Sequence, residues 1–123
     1  NLCLYAETEQ EVVCYTGGYG AFDWFAASCI NKAKKAAPNI VSCLIIPYIT
    51  ISYLDRISLH TKKFDEIIYP PLETVPPKFA IVRRNAWMID KSDLLIACVK
   101  YSWGGAAKTL EYAKRKRIKI LYI

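Results

Sequence analysis

The chain has 123 residues, 54% hydrophobic and 13% aromatic, with a net charge of +6. That is enough apolar material for a packed core and too little length for more than one domain, so disorder and multidomain architecture are excluded. No run of eighteen apolar residues occurs, so no membrane-spanning helix is expected.

The charge is uneven. Lys100, Lys108, Lys114, Arg115, Lys116, Arg117 and Lys119 face one acid, Glu111, in the last 24 residues, and the rest of the chain balances. Such a basic end suits phosphates or nucleic acid, or simply the negative pole of a helix. The five cysteines, Cys3, Cys14, Cys29, Cys43 and Cys98, form no CxxC pair. Zinc-ligand spacing is absent, no metal is expected, and a reducing, cytoplasmic setting follows. The start, NLCLYAETEQEV, lacks both a Met and the basic–apolar pattern of a secretion signal.

The elements follow in chain order. Residues 11–17, EVVCYTG, read as a strand stopped by glycines. Residues 21–37 read as a helix with an apolar stripe of Phe22, Phe25, Cys29, Ala33 and Ala36, ended by Pro38-Asn39. IVSCLIIP, 40–47, is continuously apolar, as a strand covered on both faces requires. Residues 48–63 read as a long polar connection containing the only histidine, His60. FDEIIYPP, 64–71, is a short strand. Residues 78–92 read as a helix with Phe79, Val82, Ala86 and Ile89 inward. DLLIACV, 93–99, is a buried strand. After YSWGG comes a helix with Ala106, Leu110 and Ala113 inward, then the strand IKILYI.

Apolar strands alternating with helices predict an α/β fold, Rossmann-like and three-layered (α/β/α), around a mainly parallel sheet. In such folds ligands bind beyond the carboxyl ends of the strands. Both glycine clusters fall there. Gly17, Gly18 and Gly20 lie between the first strand and first helix; Gly104 and Gly105 lie between LLIACV and the last helix. Glycine admits close backbone approach, and a helix start offers N–H groups and a positive dipole end to a phosphate. Tight strand–helix turns need glycine as well. Neither turn has dinucleotide-fold or P-loop spacing, which argues against a Mg-ATP hydrolase.

Around these turns several side chains are candidates. Arg84 lies off the apolar stripe of its helix, on one face with Trp87, and can meet a phosphate; its alternative is a surface arginine. Asp23 can bond a sugar hydroxyl or serve as a first-turn acid. Glu111 can act as an acid or base in a pocket, or pair with Arg115 four residues on. Trp103 precedes the glycine pair and can stack on a base, whereas Trp24 and Trp87 read as packing residues. Lys108 and Thr109 sit in the first turn of the last helix and complete the ligand-binding set.

The stretches GGYGAFDWFAA, IIYPPLETVPPKFAIVRRNAWMIDKSDLLIACV and WGGAAKTLEYAKRKRIKIL together resemble the SMF/DprA–LOG (SLOG) superfamily, in particular its small bacterial YpsA-related branch. The resemblance covers roughly residues 12–123. It implies one Rossmann-like domain that binds a nucleotide or nucleotide-derived small molecule, without a cofactor, and that lacks the family's first strand. An incomplete sheet edge makes a homo-oligomer an expectation. Within the superfamily, LOG enzymes cleave the N-glycosidic bond of a nucleoside monophosphate, using an Arg on one helix and Gly-Gly-x-Gly-Thr-x-x-Glu. Here Arg84, with Met88 four residues on, together with Gly104, Gly105 and Glu111, matches those positions. Ala107 replaces the third glycine and Lys108 the threonine. If the chain is a hydrolase, Glu111 and Arg84 are the catalytic pair. DprA relatives bind single-stranded DNA, and Asp23 takes the Asp place of their glycine-rich motif; nucleic acid is thus a less favoured partner. The leading expectation is a binding or sensing module.

Overall fold

The computed structural model describes residues 11–18 and 21–123. Helices alternate with parallel strands, so the fold is α/β and Rossmann-like. The strands form two parallel ladders rather than one. The chain correspondingly divides into two compact units, the first ending at Tyr69 and the second running from Pro70 to Ile123.

In the first unit, β1 (Val12–Thr16) leads to α1 (Ala21–Ala36), then β2 (Ile40–Ile45), α2 (Ile51–Ile57) and β3 (Glu66–Ile68). The ladder order is β1-β2-β3, with Val12 opposite Ile40 and Cys43 opposite Glu66. β2 is the central strand, and Ile40, Ser42, Cys43, Leu44 and Ile45 are all at most 1% exposed. Apart from Ser42 it is apolar throughout, as a strand covered on both faces requires. Val12, Ile30 and Ile40 pack together with Cys14, Ala33 and Ala37. Leu44, Ile46, Tyr53 and Ile57 form a second cluster joined by Trp24, Tyr48, Phe64 and Tyr69.

Two expectations are corrected here. The inward face of α1 is carried by Ala27 and Ile30, while Phe22, Phe25, Cys29 and Ala36 are exposed and Ala33 is half-buried. α1 has apolar residues over much of its circumference, so periodicity alone admits two phases. Ile30 fits between Val12 and Ile40, and that contact selects the phase. Residues 48–63 are also not merely a connection. Thr50 caps α2, its Oγ1 accepting from the Tyr53 N–H at 3.4 Å, and Tyr53 and Ile57, four apart, enter the core.

One polar clamp holds the first unit together. Asp65, just before β3, accepts from the backbone N–H of buried Ser42 at 2.8 Å and from Ser42 Oγ at 3.2 Å. Lys34 of α1 donates to the same carboxylate. The Asp65 N–H returns to the Ser42 carbonyl at 2.9 Å. One carboxylate thus ties α1 and β2 to the start of β3. The Lys34 ammonium, then the Ser42 N–H, hold its acidity below the usual carboxylate value.

Three of the cysteines behave as packing residues, whereas Cys29 is exposed. Cys43 is buried and Cys14 and Cys98 are half-buried. Burial pushes the Cys14 thiol up to about 11, and burial together with nearby Glu66 does the same for Cys43.

In the second unit, α3 (Ala80–Asp90) follows a short 3₁₀ turn, Pro77–Phe79, and leads to β4 (Leu94–Ala97), α4 (Gly105–Lys116) and β5 (Lys119–Tyr122). β4 and β5 pair in parallel, Leu94 opposite Lys119, so β4–α4–β5 is a complete crossover. The buried positions are Pro70, Leu72, Ala80, Arg84, Ile89, Ala97, Ala107 and Ala113. The helix phases again differ from expectation. Phe79 and Val82 are exposed and Ala80 is buried; Ala106 is exposed and Ala107 is buried. α3 and α4 pack on each other, and a methyl-sized side chain is the one buried at each of these two places. Tyr112 of α4 donates to Asp90 of α3 at 2.7 Å, and Lys116 pairs with Asp90 at 3.7 Å.

Removing the clamp should show in unfolding. Asp65→Asn is expected to lower stability at pH 7 by about 1 kcal/mol, the scale of a partly exposed charged hydrogen bond. Because the folded carboxyl is the more acidic one, its contribution is full above the ordinary carboxylate range and lost as pH falls through the folded value. Urea titrations should therefore find wild type and variant separated at pH 7 and converging in acid.

Candidate functional site

Each glycine turn stands at the carboxyl end of a strand and opens a helix, and each is lined by residues of its own unit. At the first, Gly17 and Gly18 are buried directly after β1. Gly18 has φ +65°; a Cβ there would overlap Leu44 Cδ1 and lie 3.0 Å from Trp24 Cη2. Gly18 is therefore required by backbone conformation and by packing, whether or not a ligand approaches. Gly20 lies outside the described residues. Asp23 sits half-buried in the first turn of α1.

A cavity of about 350 Å³ beside Gly18 is lined by Trp24, Tyr53, Arg56, Ile57 and His60. The His60 ring stacks on Trp24 with centroids 3.9 Å apart and planes inclined by 16°. Arg56 lies 5.8 Å from the Tyr53 ring centre. Sequence reasoning passed over His60 and Arg56 because it read 48–63 as a connection. The threonine N-cap followed by apolar residues four apart was the available signal.

The second turn is built differently. Gly104 is the N-cap of α4 with φ 92° and ψ −178°, a region reached essentially by glycine alone. A Cβ on Gly104 or on Gly105 would meet nothing within 4 Å. Gly104 is thus fixed by its backbone, whereas Gly105 has neither a steric nor a conformational reason to lack a side chain. No side chain caps α4. The first helical bond is Lys108 N–H to the Gly104 carbonyl at 3.1 Å, so the N–H groups of Gly105, Ala106 and Ala107 have no partner within the helix. Thr109 turns inward on its own helix, donating from Oγ1 to the Gly105 carbonyl at 2.9 Å.

Gly104, Gly105 and Ala107 of this helix start border a cavity of about 450 Å³, lined also by α3 residues Val82, Asn85 and Ala86, by Ser102 and Trp103, and by further α4 residues. Lys108, Thr109, Glu111, Tyr112 and Arg115 are the polar α4 members. Trp103, 71% exposed, lines the rim and stacks on Tyr101 with centroids 5.0 Å apart.

Glu111 lines this cavity, but its ion pair is with Lys114 at 3.4 Å, not with Arg115. Arg115 lies over the Tyr112 ring at 5.7 Å. Arg84 is only 2% exposed, and its Nε donates to Asn85 Oδ1 at 2.9 Å. It is not a surface arginine and is not among the residues lining the cavity; its neighbour Asn85 is. Trp103, Gly104, Gly105, Lys108, Thr109 and Glu111 are therefore brought together. Gly17, Gly18 and Asp23 belong to the other unit. Among the described residues no cluster of three potential metal ligands occurs, and no helix is long and apolar enough to cross a membrane.

Compared with known proteins, the chain matches no family model and no curated sequence.

The two turns should separate on substitution. Gly18→Ala combines a strained backbone with an overlap in a packed core and is expected to cost roughly 2–4 kcal/mol. Gly105→Ala should leave stability within about 0.5 kcal/mol of wild type or raise it, as alanine favours helix. Thermal unfolding of both variants tests the contrast; equal losses would contradict it.

Proposed function

We propose that the protein binds a nucleotide or nucleotide-derived small molecule, with a phosphate on the amino end of α4. The observation that carries this reading is the pair Gly104–Gly105 at an uncapped helix start facing a cavity. Three backbone N–H groups and the positive dipole end favour an anion there. Lys108 adds charge, and exposed Trp103 offers a ring face to a base. The resemblance to the SLOG superfamily supports the same ligand class.

A hydrolase reading is weaker. Glu111 lines the cavity and is available to a sugar, but Arg84 is buried and does not line it. Single-stranded DNA binding draws support from the basic last turn of α4. Two of its cations already pair with Glu111 and Asp90, so binding of a small ligand is favoured.

Thermal stability against a panel of nucleoside mono-, di- and cyclic phosphates and ADP-ribose is the test. A member at a hundred times its Kd should add ~2.7 kcal/mol, a rise of several degrees in Tm. Gly105→Val should abolish the rise without unfolding the protein, because its side chain enters open space. Glu111→Gln should retain most of the affinity and release no free base; loss of a base-releasing activity in that variant would instead establish the hydrolase. A folded protein shifted by no member would overturn the binding reading.

A further inference from the structure

An asparagine side chain ends in an oxygen that accepts and a nitrogen that donates. In Asn85 the neighbouring residue decides which end points where. Arg84 Nε carries a proton and cannot accept, so the atom it meets at 2.9 Å is the oxygen, Oδ1. Arg84 is buried and does not line the cavity beside α4, whereas Asn85 is half-buried and does. The oxygen end of the amide is thus turned to a guanidinium outside the cavity. The opposite end is Nδ2, with two N–H groups. Among the described residues the Asn85 side chain makes no other hydrogen bond. A half-buried donor pair without an acceptor is unfavourable until something supplies one. The positive charge behind the oxygen also polarises the amide and strengthens those donors.

The direction of the amide matters because purines differ on the edge that carries position 6. Guanine, and hypoxanthine likewise, presents two acceptors there, O6 and N7, whereas adenine sets the donor N6 beside the acceptor N7. A free asparagine reads adenine with both ends, oxygen to N6 and nitrogen to N7. With its oxygen held by Arg84, Asn85 offers donors, and donors match the oxo edge. Val82, Ala86 and the ring of Trp103 line the same cavity and give it apolar surface for a base. A base carries no net charge for Glu111, which shares the lining, to repel.

We propose that Asn85 selects the ligand of this cavity as a hydrogen-bond donor, favouring a 6-oxopurine nucleotide over its adenine counterpart, and that Arg84 is the positioning residue that fixes the direction of the amide. The inference rests on the nucleotide reading of the cavity, but not on where the phosphate sits, and it names the class of base.

Calorimetry with inosine and adenosine 5′-monophosphate is the test, because the two differ only at position 6 and the adjoining N1. Wild type should bind the inosine nucleotide about tenfold more tightly, the scale of one well-placed hydrogen bond. Asn85→Leu should bring the two affinities together. Arg84→Met should do so as well, since a released amide can turn its oxygen to N6. A merely structural loss would weaken both ligands by one factor and keep their ratio. In wild type the Arg84 Nε–H should also give a slowly exchanging proton resonance, a readout that needs no variant to fold. Equal affinities in wild type, or a preference that survives Asn85→Leu, would overturn the inference and leave the nucleotide reading standing. A preference that survives in folded Arg84→Met, or a rapidly exchanging Nε–H, would overturn the role of Arg84. Binding of neither nucleotide to the folded protein would remove the nucleotide reading itself.

Discussion

The first unit depends on how a buried strand tolerates polar groups. β2 runs through the middle of its ladder, and its Ser42 is a buried polar side chain among apolar neighbours on that strand. Asp65 resolves this by accepting from both Ser42 donors while Lys34 supplies the counter-charge at the outer edge. The same contact sets where β3 begins, since the Asp65 N–H bonds the Ser42 carbonyl. With β1, β2 and β3 so registered, the ends of β1 and β2 fall where α2 can close over Gly18 and Trp24.

Much of this architecture is legible in the sequence. The alternation of elements is read from β-branched runs, glycine turns and Pro38-Asn39, and the strands fall within the expected segments. Helix phase is not legible where a helix carries apolar residues on several sides. Phe22 and Phe25 look like core by size and spacing, yet Ala27 and Ile30 are the residues that fit the sheet. Size is a poor guide when close approach of backbones is what a contact requires. The same explains Ala80 and Ala107, which are buried while Phe79 and Ala106 are not. α2 escaped notice because seven residues are too few to establish a period.

The site is legible in its backbone and less so in its charges. Gly104 and Gly105 after a strand point to the α4 start without any coordinates. Which charges pair with one another beside that cavity depends on contacts that spacing cannot supply. Glu111 has Lys108, Lys114 and Arg115 three or four positions away on its helix, and it takes Lys114. That choice leaves Arg115 to Tyr112, whose orientation is settled by Asp90, 22 residues earlier. Arg84 shows the converse. An arginine amid polar neighbours reads as surface, but the helix turns it inward to Asn85.

The two adjacent glycines of the α4 turn differ in what keeps them. Gly104 occupies backbone space that the chirality of any other residue opposes, so folding alone retains it. Gly105 is ordinary helix facing open space, and nothing in the fold forbids a side chain there. Folding and any ligand use would therefore leave separate marks on the turn. Were a ligand to use it and then be lost, a descendant would drift at position 105 while still holding glycine at 104.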